Sequence, residues 1–289
     1  MAATINLVTK FVPYVDEMFT SESKKSLLTN QDFDWTGAHA VKVYKVSTAS
    51  MNDYDRDGSS VGLTDGEAGN VIWSRYGAVA GLSATTEEFT LSKDRSFTFA
   101  IDKLDTDETA QQLQAASALA RQTREVVIPE VDTYVYNVMC TNAGTKPTAA
   151  ALTSDGIYDE ILKANQTLDD AQVPETGRVL VVTPATYVLM KQCADIVMET
   201  DIGNDMRLRG VIGMLDGCSV IKVPSSRLPA KFGFMVAHPC ATVAPTKLED
   251  YKIHQDPPGI SGALVEGRIC YDAFVLDNKT KAIYYHAIV

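Results

Sequence analysis

Residues 105–142 read DTDETAQQLQAASALARQTREVVIPEVDTYVYNVMCTN, and the organisation of the chain follows from how this stretch folds. Asp105-Thr-Asp-Glu108 offers a capping carboxylate with Glu at the third following position, close to a capping box. Apolar side chains follow at Leu113, Ala116, Ala120, Val127, Val131, Tyr134 and Val138, the three-and-four spacing of a one-sided helix. No glycine falls between Gly81 and Gly144. The spacing predicts one helix over about 106–142, ~55 Å long at 1.5 Å per residue. Pro129 should kink it, because proline removes a backbone donor and its ring meets the preceding turn. Few globular domains need so long a helix, and it reads as a spine.

N-terminal to the spine the pattern is that of strands. Val41-Lys-Val-Tyr-Lys-Val46 is β-branched and aromatic, and Phe89-Thr-Leu91 and Phe97-Thr-Phe-Ala-Ile101 read as the answering strands. About 40 residues lie between these arms, with six glycines from Gly58 to Gly81. A connection of that length is uncommon inside a compact domain. It reads as a protruding two-stranded flap with Val61, Leu63, Val71, Ile72 and Trp73 near its tip, and an isolated hairpin is only marginally stable. Another copy of the chain is the economical support. Residues 1–38 read as an arm with a short amphipathic helix, opened by Pro13 and carrying Val15, Met18, Phe19 and Leu27 on its apolar face.

C-terminal to the spine the chain alternates. A helix is expected over about 154–171, a wholly apolar buried strand at Arg178-Val-Leu-Val-Val-Thr183, and a helix opened by Pro184. Residues 199–217, with four glycines around Arg207 and Arg209, read as a mobile loop. Strands at 219–223 and 232–236 follow, then a closing β segment at 263–289.

The composition bounds the function. The chain has 289 residues, 45% of them hydrophobic, and 26 basic against 37 acidic side chains give a net charge of −11. It is long enough for a sizeable core and too apolar for a disordered chain. No stretch approaches the roughly 18 apolar residues that span a bilayer, and no basic-then-apolar leader opens the sequence. So acidic a chain should not hold nucleic acid by broad phosphate neutralisation, which leaves only a local basic patch open. The five cysteines are an odd number, widely spaced and without a CxxC pair, as for reduced structural thiols.

No chemistry-bearing motif completes. Asp53-Tyr-Asp-Arg-Asp-Gly58 matches half of a calcium loop, but Thr64 stands where the bidentate Glu belongs. Gly144-Thr-Lys146 lacks the first glycine of a phosphate loop and is followed by Pro147. His238-Pro-Cys240 is the one His–Cys proximity, and the other histidines are scattered. No catalytic residue, cofactor site or metal site is expected, and no enzyme activity.

The order of parts then carries a resemblance. Val41-Lys-Val-Tyr44, Asp53-Tyr-Asp-Arg56, Lys93-Asp-Arg95, Phe97-Thr-Phe-Ala-Ile-Asp102, Asp105-Thr-Asp-Glu-Thr109, Val127-Ile-Pro-Glu-Val-Asp132 and Gly177-Arg-Val-Leu-Val-Val-Thr-Pro184 stand in the order of arm, flap, spine, α/β domain and returning β segment. Over roughly residues 5–289 the chain resembles the major capsid proteins of tailed bacteriophages, the Hong Kong 97-type coat fold. The resemblance implies an α+β chain with an arm at 1–38 and an extended loop at 39–101. It implies a peripheral domain at 102–150 with the spine, completed by the β segment 263–289, and an axial domain at 151–262. It also implies hexamers and pentamers of an icosahedral shell around phage double-stranded DNA, assembled in the host bacterial cytoplasm, with non-specific DNA contact and no membrane. Portal and decoration proteins are implied partners, and a separate scaffolding protein is expected because no long charged N-terminal extension is seen.

Contact candidates between subunits are Leu63 or Trp73 as an apolar anchor, and Arg56 or Arg75 pairing with Asp105, Asp107 and Glu108 at the start of the spine. Arg207 and Arg209 would lie in a loop at a symmetry axis. These arginines read equally well as solvated charges. An encapsulin-like compartment shares the fold, and an α/β enzyme with an unrecognised site is the second alternative. If the cysteines and histidines carry no chemistry, Cys240→Ser with His238→Gln changes stability by no more than about 3 kcal/mol. Shells of that variant should form at ordinary temperature, as counted by electron microscopy beside a thermal melt.

Overall fold

The computed structural model describes residues 22–30, 40–54, 56, 62–64, 71–73, 76, 81–108, 114–193, 196 and 211–289. The chain divides into a small unit over 37–90 and a large unit formed by 1–36 with 91–289.

The small unit is a ladder. β1 (Ala40–Val46) runs antiparallel to β4 (Ala84–Thr90), from Ala40 opposite Thr90 to Val46 opposite Ala84. Between them in sequence, β2 (Gly62–Thr64) pairs with β3 (Val71–Trp73). β-Branched and aromatic side chains suit the pleat, so β1 forms where its sequence predicts. Its partner differs in part from the expectation. Phe89 and Thr90 do pair with it, but the strand at 97–101 does not, so the small unit ends at Thr90 rather than at 101.

In the large unit that strand is β5 (Lys93–Asp102), followed by α1 (Lys103–Glu108), α2 (Ala115–Gln122) and α3 (Ile128–Thr141). Then come α4 (Ile157–Asp170), β6 (Val179–Val182), α5 (Pro184–Gln192), β7 (Val211–Leu215), β8 (Cys218–Lys222) and β9 (Phe232–Ala237). β10 (Thr242–Val243), β11 (Thr246–Gln255), β12 (Gly262–Tyr271), β13 (Phe274–Val275) and β14 (Ile283–Ala287) close the chain. β5 pairs with β12 over their full length, Lys93 opposite Tyr271 and Asp102 opposite Gly262, in a sheet ordered β11-β12-β5. Its alternating Phe97, Phe99 and Ile101 explain the choice: Ile101 is buried and Phe97 packs on the main core, contacts that a free flap cannot offer. Gly267 lies opposite Phe97 in this sheet, and a Cβ there would come within 2.4 Å of the ring.

The second sheet is ordered β14-β9-β6-β8-β7, with β6 and β8 parallel and the other neighbours antiparallel. Every residue of β6 and β9 is buried. Val179, Val181, Met235, Ala237 and Ile283 face a core shared with Val131, Val135, Tyr136 and Met139 of α3. Leu180, Val182, Phe234 and Val236 face Ile157, Ile161, Ala164 and Leu168 of α4. Burying one such aliphatic side chain stabilises by about 1.5–3 kcal/mol, so this sandwich dominates the unit. α5 crosses between β6 and β8. Pro184 opens it and Thr183 caps it, the Thr183 Oγ1 accepting the Thr186 N–H at 3.0 Å.

The spine is shorter than its sequence suggests. Gln114 is extended (φ −86°, ψ 138°), so the helix starts at Ala115 and runs to Thr141, about 40 Å. Asp105, Asp107 and Glu108 therefore lie on the separate six-residue α1. Asp102, not Asp105, caps that helix, accepting the Leu104 N–H at 2.8 Å. The Pro129 effect takes the form of a π-helical turn over Thr123–Val127, where the Ile128 N–H reaches back five residues to the Thr123 carbonyl. Widening the turn there makes room for the proline ring and absorbs its missing donor.

Two further expectations change. Residues 211–217 of the expected mobile loop form β7 and a two-residue hairpin, with Asp216 at φ 48° and Gly217 at φ 73°. Positive φ at both central positions is the Asp-Gly turn that matches strand twist. Residues 199–210, including Arg207 and Arg209, lie outside the described residues, as does the arm before Glu22. What is described of the arm is a single 3₁₀ turn, Lys25–Leu27, after which Leu28 is fully buried in this chain's own core.

Buried polar groups pin these layers. On α3, Asp132 accepts from Ser23 Oγ at 2.6 Å and from Arg227 Nη1 at 2.9 Å, both the Asp132 and Arg227 side chains being buried. Asp272 accepts from Ser92 N–H and Oγ at 2.7 and 2.8 Å, from Tyr134 Oη at 2.7 Å and from the Ala273 N–H at 2.8 Å. In β14, His286 is buried and stacks on Phe234 at 5.2 Å. Its Nδ1 has no hydrogen-bond partner among the described residues, and burial holds its pKa below the ordinary value against the pull of Glu160.

Arg227→Met should cost about 3–5 kcal/mol in urea melts of the unassembled subunit, because it strands a buried carboxylate. Asp132→Leu added to it should recover part of that loss, and a double variant as unstable as the single one would refute the pairing. A neutral-favouring site in the fold makes the unfolded His286 bind protons first, so stability holds above the ordinary histidine pKa and falls as pH drops below about 6.5. The His286→Leu variant should show a shallower loss over that window, the remaining slope including His238, which burial also holds low.

Candidate assembly surface

Among residues 41–54, 56, 76 and 81–90 of the small unit none is fully buried, and Val41, Val43 and Phe89 are half-buried. β1 carries Lys42 and Lys45 against Glu88 and Glu87 of β4, at 3.2 and 3.0 Å. Tyr44 is 72% exposed, Met51 99% and Tyr76 77%, with Val46, Tyr54 and Leu82 also open. Tyr54 meets Tyr76 edge-on at 5.0 Å, and the Ser83 N–H donates to Ser47 Oγ at 2.8 Å at the end of the ladder. These contacts fix local geometry and leave Val41, Val43 and Phe89 only half covered. A two-stranded ladder of this kind buries little on its own.

The large unit offers a charged face. On the open side of the β11-β12-β5 sheet, Arg268 grips Asp94 with two hydrogen bonds of 2.9 and 2.5 Å. The hydrogen bond holds the Asp94 carboxyl below its ordinary pKa. Lys252 pairs with Asp250 at 2.9 Å, and His254 Nε2 lies 3.3 Å from Glu266. Alternating strand geometry puts Ser96, Thr98, Asp250, Lys252, Glu266 and Arg268 around one shallow depression. Leu104 on α1 and Val126 on the π turn are exposed nearby in sequence.

The groups singled out for chemistry are occupied structurally. His238 caps a 3₁₀ turn (Pro239–Ala241): its Nδ1 accepts the Cys240 N–H at 3.2 Å, and its Nε2 faces the Thr176 carbonyl at 3.1 Å. Burial pushes the Cys240 thiol up, and pushes Cys140 to about 12 and Cys218 to about 11, the opposite of what a nucleophile needs. Among the described residues no three metal-binding side chains converge.

The contact candidates fall as follows. Arg56 is exposed in the small unit. Leu63 pairs with Ile72 and Trp73 with Gly62 through their backbones, their side chains lying outside what is described. Asp105 and Asp107 are exposed on α1, which Glu108 ends. Arg75, Arg207 and Arg209 lie outside the described residues. Sequence reading missed Asp132, Arg227 and Asp272, whose partners are tens to hundreds of residues away. The Asp216-Gly217 dipeptide did carry a local hairpin signal.

A family model described as phage capsid protein matches residues 84–285. Among solved structures, one titled Mycobacterium phage Che8 aligns at TM-score 0.74 and 19% identity, covering 98% of both chains. The capsid structure of the cyanophage P-SCSP1u aligns at 0.71 and 14% identity, over 98% of this chain and 93% of that one. The mature capsid of bacteriophage PhiM1 aligns at 0.67 and 13% identity, over 98% and 92%. No curated protein matches the chain. An α+β chain with a coreless ladder ahead of its spine helix, matched by the capsid family model over most of its length, belongs to the phage capsid protein family and has the Hong Kong 97-type fold.

Proposed function

We propose that the chain is the major coat subunit of a tailed bacteriophage, assembling with copies of itself as hexamers and pentamers of an icosahedral shell around double-stranded DNA. The observation that carries this reading is the small unit. The β1-β4 ladder, with no fully buried residue from 41 to 46 or 84 to 90 and with Tyr44 exposed beside Tyr54 and Tyr76, gains stability by covering another surface, and in a homo-oligomer the same contact repeats in every subunit. The family match favours a phage shell over an enzyme-filled compartment. The protein is structural rather than an enzyme, and its chemistry is association.

In this reading the small unit is the extended loop, the spine with β5, β11 and β12 is the core of a peripheral domain, and the β14-β9-β6-β8-β7 sheet is that of an axial domain. Strand pairing thereby moves β11 out of the axial stretch expected at 151–262 and β14 out of the peripheral segment expected at 263–289. Leu63 or Trp73 anchors the loop on a neighbouring copy, and Arg56 or Arg75 pairs with Asp105, Asp107 and Glu108 of that copy. Arg207 and Arg209 face a symmetry axis. A scaffolding protein directs closure in the host cytoplasm, and portal and decoration proteins join the shell.

Purified protein should form pentamers, hexamers, shells or tubes, alone or with its scaffold. A monomer that stays monodisperse at every concentration and with every scaffold tried would end the coat reading. Replacing residues 60–75 with a short Gly-Ser turn should leave the subunit's circular dichroism and melting transition intact while abolishing shells in electron micrographs. Intact shells, or an unfolded subunit, would show that the loop does not act between subunits.

A further inference from the structure

The β11-β12-β5 sheet ends in β11, which has a neighbour on one side only. Just past the strand, the Asp256 N–H donates to the Gly262 carbonyl at 2.7 Å. Hydrogen-bonded and non-hydrogen-bonded pairs alternate along an antiparallel ladder, so His254, Lys252 and Asp250 also bond to β12. The N–H and C=O groups of Glu249, Tyr251, Ile253 and Gln255 then point away from the sheet. From Leu248 to Gln255 the register against β12 is unbroken, and no proline interrupts the strand. Lys252, Ile253, His254 and Gln255 are all exposed. A long, straight and open edge is a template for another strand.

The charges along β11 select the partner. A second β11 can lie antiparallel to the first with outward-facing residues opposite one another, the pair being centred on a single residue of the strand. Centring on Glu249, Asp250 or Lys252 sets that charge opposite its own copy, which is destabilising across strands. Centring on Ile253 sets Asp250 opposite Asp256. Centring on Tyr251 sets Asp250 opposite Lys252 of the second copy and Lys252 opposite its Asp250. Within one chain these two side chains already pair at 2.9 Å, each about half exposed, so the centring on Tyr251 closes a network of alternating charge. Glu249, which then falls opposite Ile253, is balanced within its own chain by Lys25, whose ammonium form it favours.

We propose that β11 is a two-fold contact between subunits, the β11 strands of two copies pairing antiparallel about Tyr251 and joining their three-stranded sheets into one. The proposal rests on the coat reading and gives it one contact on named residues. The contact is self-complementary, Asp250 meeting Lys252 in both directions, as a two-fold axis of a closed shell requires. Lys252 keeps the edge from pairing in other registers, where it meets no carboxylate.

The test mixes equal amounts of Asp250→Cys and Lys252→Cys subunits, assembles them, adds a mild oxidant and runs a non-reducing gel. Opposed residues of a non-hydrogen-bonded pair lie about 4.5 Å apart at Cα, within reach of a disulfide. The mixture should give a dimer band. Each variant alone should give no more dimer than the wild type, whose own cysteines set the background. A second arm uses charge: Asp250→Lys should lose most of its shells in electron micrographs with circular dichroism unchanged, and Asp250→Lys/Lys252→Asp should recover them. A mixture with no dimer above background would overturn the proposal, as would single variants that cross-link as well as the mixture. So would an Asp250→Lys variant that assembles like the wild type, or a charge swap that assembles no better than Asp250→Lys. If the wild type forms no shells the coat reading falls by itself, and the cross-link is read on unassembled chains, where edge pairing still gives dimers.

Discussion

Burial on both faces of one sheet is the constraint on which the large unit depends. β6 and β9 have no side that meets water, so each must be covered twice, by α3 on one face and by α4 on the other. That requirement explains why strands so short are so apolar. It also fixes the spine's place, because α3 is committed to the sheet through Val131, Val135, Tyr136 and Met139. The same core takes in Ile269 and Tyr271 of β12, so one helix serves two sheets. The π turn before Pro129 sits where the helix leaves this core, and it lets the apolar stripe keep its aim on both sides of a proline.

Polar contacts then set which segments dock on that core. Asp132 draws in the end of the N-terminal arm through Ser23 and the 225–227 turn through Arg227. Asp272 accepts four hydrogen bonds at the point where β5 begins, joining it to Tyr134 on the spine. Burial still holds the Asp132 pKa above its ordinary value against these donors, so the carboxylate depends on its partners and would cost far more without them. Such groups act as registers more than as sources of stability.

The small unit inverts this logic. Its ladder is well paired and its charges match across strands, yet Tyr44, Val46, Met51, Tyr54, Tyr76 and Leu82 are exposed. Covering those exposed side chains would stabilise the ladder, which suits a protein whose folded form is a building block. The acidic surface works in the same direction. It opposes indiscriminate aggregation at −11 per subunit, so association depends on specific covered contacts.

Much of this was legible from residue order. The strand character of Val41–Val46, the buried run Val179–Val182, the Pro184 helix start and the incomplete catalytic motifs are all local properties, set by side-chain shape and by spacing within a few residues. The fold family followed from the order of those parts. What sequence could not assign was coverage. The alternation of Phe97, Phe99 and Ile101 marks an inward face, but β12, some 165 residues later, decides that β5 leaves the flap. The helical spacing continues back to residue 106, yet the extended Gln114 and the Asp102 cap divide it. Asp132 with Arg227 and Asp272 with Ser92 join residues that no periodicity links. Spacing along a chain states which face is apolar or charged; only the closed structure, where distant segments compete to cover that face, states what meets it.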